Sequence, residues 1–180
     1  MKLIAVISDT HHTLDKRIYK HLKNCDEIWH AGDIGSIEII DELKTITKVR
    51  AVTGNIDNNI LRSSLKEIEL FRCEQVKVMI THIGGYPGRY AKGIKERLLE
   101  YEPDLFICGH AHILKVMYDK KLKLLHLNSG AAGKHGIHQI RTMLRFEINN
   151  KNPATTQFYN TQRIEKEVAY LELTKAKQWK

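Results

Sequence analysis

Five short stretches of this chain bring metal-binding residue types close together: Asp9-Thr10-His11, Gly32-Asp33, Gly54-Asn55, Thr81-His82 and Gly109-His110-Ala111-His112. Carboxylate and amide oxygens are hard donors, while imidazole suits manganese, iron, nickel or zinc. Asp9 and His11 stand two residues apart, so an extended backbone turns both side chains toward one ion. A carboxylate such as Asp33 can bridge two ions, which a single imidazole does not do. His110 and His112, released by the turn at Gly109, can then serve one ion each. Two divalent ions about 3.5–4 Å apart are the device of many phosphate-ester hydrolases. The candidate ligands are therefore Asp9, His11, Asp33, Asn55, His82, His110 and His112.

Each candidate also has an ordinary explanation. Asp9 would serve as a helix N-cap, Gly32-Asp33 as a plain turn, Gly54-Asn55 as a left-handed turn and His82 as a capped strand end. His110 and His112 alone read as two exposed histidines beyond a strand. These explanations do not account for the order of the five stretches. Each one follows an apolar run, and in open α/β sheets sites assemble at the carboxyl ends of strands.

The elements that must position them are legible from periodicity. Residues 2–8 are rich in Leu, Ile and Val, as in a strand buried on both faces. Leu14, Ile18, His21 and Leu22 repeat at helical spacing, with Asp15 early and Lys23 late. Glu27 to His30 is a second strand, Ser36 opens a helix through Ile37, Ile40 and Leu43, and Val49 to Val52 is a third strand. This β-α-β-α-β start predicts an α/β fold with a largely parallel sheet. Leu65–Phe71 and Val76–Ile80 predict a hairpin turning at 72–75. A helix follows over Tyr90 to Tyr101, ended by Pro103, and then a strand from Leu105 to Cys108. Further strands are expected near 113–119 and 122–127, then the Gly-rich loop 129–133. A last hairpin pairs Thr142–Ile148 with Thr155–Tyr159, and residues 163–173 could extend that pairing. The basic tail, about 174–180, reads as frayed.

A chain of 180 residues is expected to form one domain, 1–180, with a core that needs no disulfide or structural zinc. Cys25, Cys73 and Cys108 lie far apart without a C-x-x-C, which points to reduced thiols and a cytoplasmic setting. The N-terminal apolar run is too short for a signal peptide or a membrane span and meets an acid at once. The net charge of +8, from 29 basic and 21 acidic residues, favours anionic partners such as a small phosphate ester or a nucleotide. Nucleic acid fits the charge, but no RNA-binding motif or helix-turn-helix is present. A homo-oligomer is left open.

With these residues in view, the chain resembles the calcineurin-like metallophosphoesterases. Asp9-x-His11, Gly32-Asp33, Gly54-Asn55, His82 and Gly109-His110-x-His112 correspond to that family's five motifs, over residues 3 to about 146. Cys108 to His112, Leu127-Asn128-Ser129-Gly130 and Arg141-Thr142-Met143 are most similar to its small bacterial and archaeal phosphodiesterase branch. The resemblance implies a four-layer α/β/β/α sandwich of two mixed sheets flanked by helices. It implies two divalent metal ions, manganese first, with iron, nickel or zinc as alternatives. One ion would take Asp9, His11, Asp33 and His112, and the other Asp33, Asn55, His82 and His110. Asp33, Asn55 and His82 would carry catalysis, and Asn55 would also orient the phosphate. The implied activity is phosphodiester hydrolysis by a water that the ions activate. The alternatives are a phosphomonoesterase, or a scaffold without catalysis like the retromer subunit of the same fold.

One position departs from the family. Many members carry Gly-Asn-His-Asp or Gly-Asn-His-Glu, and that histidine acts on the leaving group. This chain has Gly54-Asn55-Ile56-Asp57, and Ile56 has no proton to give. Loss of a general acid costs about 10²–10⁴ in rate, so activated phosphodiesters are the expected substrates. Of the remaining histidines, His12 is placed to reach substrate or else faces solvent. His30 is read as supporting a ligand, and His21 and His126 as surface or packing residues. His135 and His138 flank the Gly-rich loop and are read as lying outside substrate contact, with such contact as the alternative. Cys108 is read as a buried strand residue, not a nucleophile.

Overall fold

Alternation along the first strand, β1 (Lys2–Ile7), divides its side chains between two cores. Ile4 and Val6 join one buried cluster, and Ala5 and Ile7 another, as the two-residue period of a strand requires. A strand covered on both faces is apolar throughout, which is why it reads as an unbroken run. The computed structural model describes residues 1–137, 140–148 and the strand at 156–160.

From β1 the chain passes through α1 (Lys16–Leu22), β2 (Glu27–His30), α2 (Ile37–Lys44), β3 (Lys48–Ala51) and α3 (Asn59–Ser64). Next come β4 (Ile68–Cys73), β5 (Val76–Thr81), a small hairpin of β6 (Gly85–Tyr86) and β7 (Arg89–Tyr90), and α4 (Ile94–Tyr101). The described chain finishes with β8 (Leu105–Cys108), β9 (Leu114–Asp119), β10 (Leu124–Ser129), β11 (Thr142–Ile148) and β12 (Thr156–Asn160). Two five-stranded sheets result, ordered β12-β11-β1-β2-β3 and β4-β5-β8-β10-β9. β1, β2 and β3 run parallel, as do β5, β8 and β10; antiparallel pairing adds β11 and β12 beyond β1 in the first sheet, and β4 and β9 at the edges of the second.

Three buried clusters define the layers. Ile4, Val6 and Trp29 of one sheet meet Val78, Ile80 and Ile107 of the other. On the far side of the first sheet, Ala5, Ile7 and Ile28 pack under Ile18 and Leu22 of α1, Ile40 and Leu43 of α2 and Leu61 of α3. On the far side of the second, Met79 and Phe106 pack under Ile94 and Leu98 of α4. The arrangement is the expected α/β/β/α sandwich. Burial of each large apolar side chain contributes roughly 1.5–3 kcal/mol. The three cysteines are buried and unbridged. No helix of the described residues is long and apolar enough to cross a membrane.

Local differences from the sequence reading have local causes. The helix expected from residue 90 starts at Ile94, because Arg89 and Tyr90 pair back onto Gly85 and Tyr86. The strand expected from residue 65 starts at Ile68, because Leu65 closes α3 and packs with the first sheet's helices. α3 itself was not expected. It is six residues long with one buried side chain, Leu61, too short to show a period. The last hairpin is present as β11 paired with β12. The readings for 163–173 and 174–180, and His138, lie outside the described residues.

Candidate metal centre

The five donor stretches follow β1, β2, β3, β5 and β8, all of which lie in parallel pairings. The backbone does not stay extended there. Asp9 (φ +54°), His11 (+43°), Asp33 (+53°), His110 (+67°) and His112 (+54°) are all left-handed. Asp9 and His11 therefore do not converge along an extended stretch, as their spacing predicts; the turn aims them. Left-handed backbone costs roughly 1–2 kcal/mol at a residue other than glycine, so neighbouring structure must hold it. Here the loops lace together. The N–H groups of Asp9, His11 and His12 donate to the carbonyls of Gly32, Asp33 and Ile34 at 3.0, 3.1 and 3.0 Å.

Two groups of donors result. Asp9, His11 and His112 offer one ligand atom each, all within 4.8 Å of one another, and so do Asp33, His82 and His110. Asp33 links the groups: its Oδ2 lies 3.6 Å from His11 Nε2 and its Oδ1 3.1 Å from His82 Nε2. Asn55 joins through Oδ1, 3.0 Å from His82 Nε2. Asp9 Oδ1 lies 3.2 Å from His112 Nε2, and both Asp9 oxygens accept from the His110 N–H at 3.2 Å. The fold thus brings all seven candidates together. His12 lies in neither group; it is exposed, with its ring against Gly35.

A supporting layer surrounds these donors, of which the sequence reading named only His30. Asp57, buried at 4% exposure, accepts from Gly35 N–H at 2.8 Å and from Gly54 N–H at 2.7 Å. It ties the Asp33 loop to the Asn55 loop. Arg62 on α3 donates to the carbonyls of Asp57 (2.9 Å), Gly54 (2.8 Å) and Asn55 (3.2 Å). Thr10 donates to the Ile34 carbonyl at 2.9 Å, which commits its one proton, so His30 Nε2–H donates to the Thr10 hydroxyl at 3.0 Å. Burial lowers the His30 pKa to about 4, so the ring stays neutral. Asn128 donates to the Gly109 carbonyl at 2.7 Å and accepts from Gly130 N–H at 2.9 Å. Asp57 to Gly35 and Asn128 to Gly109 are bonds to backbone groups distant in sequence, which spacing does not mark. His126 is fully buried and bonded to the Gly85 carbonyl at 3.0 Å, a packing residue. Burial pushes the Cys108 thiol up to about 12, which makes it a poor nucleophile.

The family profile described as the calcineurin-like phosphoesterase superfamily domain matches residues 1–151. The chain belongs to this superfamily. A probable metallophosphoesterase of Methanocaldococcus jannaschii is 36% identical over 137 residues, which are 72% of this chain and 67% of that protein. Among solved structures, Vps29 from Entamoeba histolytica complexed with Zn²⁺ superposes with a TM-score of 0.69 at 20% identity, over 88% of this chain and 91% of that one. A novel archaeal phosphodiesterase superposes with a TM-score of 0.67 at 20% identity, over 88% and 99%.

Calcineurin-like phosphoesterases use divalent metal ions, and the donor chemistry here fits them. His82 Nδ1 lies 2.8 Å from the Ala31 carbonyl, which can only accept, so Nδ1 carries the proton. In the neutral ring Nε2 then faces Asp33 Oδ1 and Asn55 Oδ1 with a lone pair. A divalent cation can take the place that a proton on Nε2 otherwise fills. His11 Nε2 is buried and makes no hydrogen bond. Burial opposes the Asp33 charge, but His82, the Ile56 N–H and His11 outweigh it and hold its pKa below the usual carboxylate range.

Protons compete with metal for these sites. The bond to Asp9 raises His112, against burial; burial lowers His82, but Asp33 more than reverses it. Both therefore stay protonated to higher pH than the ordinary 6.5. Burial lowers His11, which competes only below that value. Each donor group holds one raised imidazole, so its metal affinity should rise about fourfold or more from pH 6 to pH 8. Isothermal titration of metal-free protein at the two pH values checks this, and equal affinities would contradict it.

Proposed function

We propose that this chain is a phosphodiesterase that works with two divalent ions, manganese in first place. One observation carries the reading: Asp33, a member of one three-donor group, also faces the other, its two oxygens lying against His82 and His11. Asp9, His11, Asp33 and His112 would hold one ion, and Asp33, Asn55, His82 and His110 the other. When bound, two such ions lower the pKa of water and neutralise phosphoryl oxygens.

The chain's own residues do the positioning. The carboxylates of Asp9 and Asp33 offset about half of the +4 carried by two ions, so a net charge of about +2 remains to draw in an anionic ester. An Asn55 amide that gives its oxygen to an ion keeps two N–H donors for the phosphate. Arg62 and Asp57 hold the loop that presents it. Ile56 donates its backbone N–H to Asp33 Oδ1 at 3.1 Å, but its side chain offers the leaving group nothing. Good leaving groups need no proton, so activated diesters suit this site best. The solved archaeal phosphodiesterase of the same fold supports this reading.

With Mn²⁺, bis(p-nitrophenyl) phosphate should be hydrolysed faster than p-nitrophenyl phosphate. Faster turnover of the monoester would favour a phosphomonoesterase. A chain that binds metal but turns over neither ester would act as a scaffold. Metal analysis after reconstitution should find two ions per chain.

A further inference from the structure

The mechanism so far leaves one imidazole at the site unused. The ring of His135 lies 4.7 Å from that of His11, tilted by 33°. It belongs to neither donor group, and it is exposed where Asp9 and Asp33 are buried. It is therefore on the solvent side of the centre, the side from which an ester must arrive. None of its hydrogen-bonding capacity is taken up by another described residue.

The loop that carries it is built onto the ligand loop. Ala132 N–H donates to the Ser8 carbonyl at 2.9 Å and Gly133 N–H to the Asp9 carbonyl at 3.0 Å. A Cβ on Gly133 would come within 2.4 Å of the Thr10 carbonyl oxygen, so only glycine lets the two backbones touch. Thr142 N–H donates to the Ala131 carbonyl at 2.9 Å and anchors the loop to β11. His135 stands two residues beyond this pinned segment, so its place relative to His11 follows the Asp9–His11 turn. Ile56, by contrast, has no polar atom in its side chain.

We propose that His135 is a substrate-contacting residue that donates an N–H from the Gly-rich loop to an oxygen of the bound phosphodiester. The assignment rests on the phosphodiesterase reading above, and its role is that of a hydrogen-bond donor, not a metal ligand.

The test compares His135→Ala and His135→Asn with the unmodified chain, all loaded with Mn²⁺. A hydrogen bond to a charged group is worth enough to predict a drop of about 10- to 100-fold in kcat/KM for bis(p-nitrophenyl) phosphate in His135→Ala. Inorganic phosphate, titrated calorimetrically, should bind more weakly by a similar factor. Asparagine keeps a donor and should restore part of both. Metal stoichiometry and metal affinity should not change. The proposal is overturned if His135→Ala keeps phosphate affinity and kcat/KM within twofold, or if it loses a metal ion, which would make His135 a ligand. If the unmodified chain hydrolyses no ester, the phosphodiesterase reading fails separately, while the phosphate titration still decides whether His135 contacts the anion.

Discussion

Asp33→Ala should lose at least about 10³-fold in kcat/KM and should no longer hold two metal ions. Asp33 is the one carboxylate that faces both donor groups, at 3.6 Å from His11 Nε2 and 3.1 Å from His82 Nε2. Its removal withdraws one of the site's two negative charges and, in the proposed two-ion arrangement, one donor from each ion. A metal pair contributes several kcal/mol to the barrier of such a hydrolysis, and each 1.36 kcal/mol is a factor of ten. The Ile56 N–H also loses its acceptor, which loosens the loop that presents Asn55. A second readout needs no activity. In metal-free protein the His82 pKa is raised chiefly because Asp33 outweighs burial. In the variant burial acts with less opposition, so the imidazole should titrate at lower pH by NMR. A variant that keeps two ions per chain would refute the bridging role; one that keeps the His82 titration would refute the contact.

Gly54→Ala should damage the centre without removing a donor. A Cβ at position 54 would lie 2.1 Å from Asp33 Oδ1 and 2.2 Å from the Asp33 backbone nitrogen. Neither atom can step aside. The carboxylate oxygen is held by His82 and Ile56, and the nitrogen belongs to a left-handed turn pinned on both sides. Overpacking of this kind costs about 1–3 kcal/mol, which for a chain of this length lowers Tm by roughly 2–12 °C. Asp33 would be displaced by an ångström or so, and a misplacement of that size costs about 10² in rate. The informative comparison is at a temperature where the variant is fully folded by circular dichroism. Wild-type metal affinity and turnover there would show that the Gly54–Asp33 approach is not needed.

These two residues also show where sequence reasoning succeeds. Asp33 was legible because its chemistry is local: a carboxylate after a strand, in step with four similar stretches. The sandwich was legible for the same reason, since β1 from Leu3 onward and all of β8 are apolar and β-α-β order dictates a parallel sheet. Apart from His30, the supporting layer was not. Asp57 binds the N–H of Gly35, 22 residues away, and Asn128 binds the carbonyl of Gly109, 19 away. Such bonds depend on how loops cross, and no periodicity encodes that. The expectation for Asp9 and His11 failed in geometry but not in identity, because a left-handed turn that is unfavourable in isolation is held by bonds from a separate loop.

By itself, then, the amino-acid order determined the candidate donors, their strand-end placement and the α/β sandwich, because these follow from side-chain chemistry and short-range hydrophobic pattern. The tertiary structure decided the rest: Asp33 facing a histidine of each group, Asp57 and Arg62 as clamps, His12 exposed outside both groups, and the tilted ring of His135 beside that of His11. Those relations are set by loops packed against loops across two sheets, where sequence distance carries no information about spatial distance.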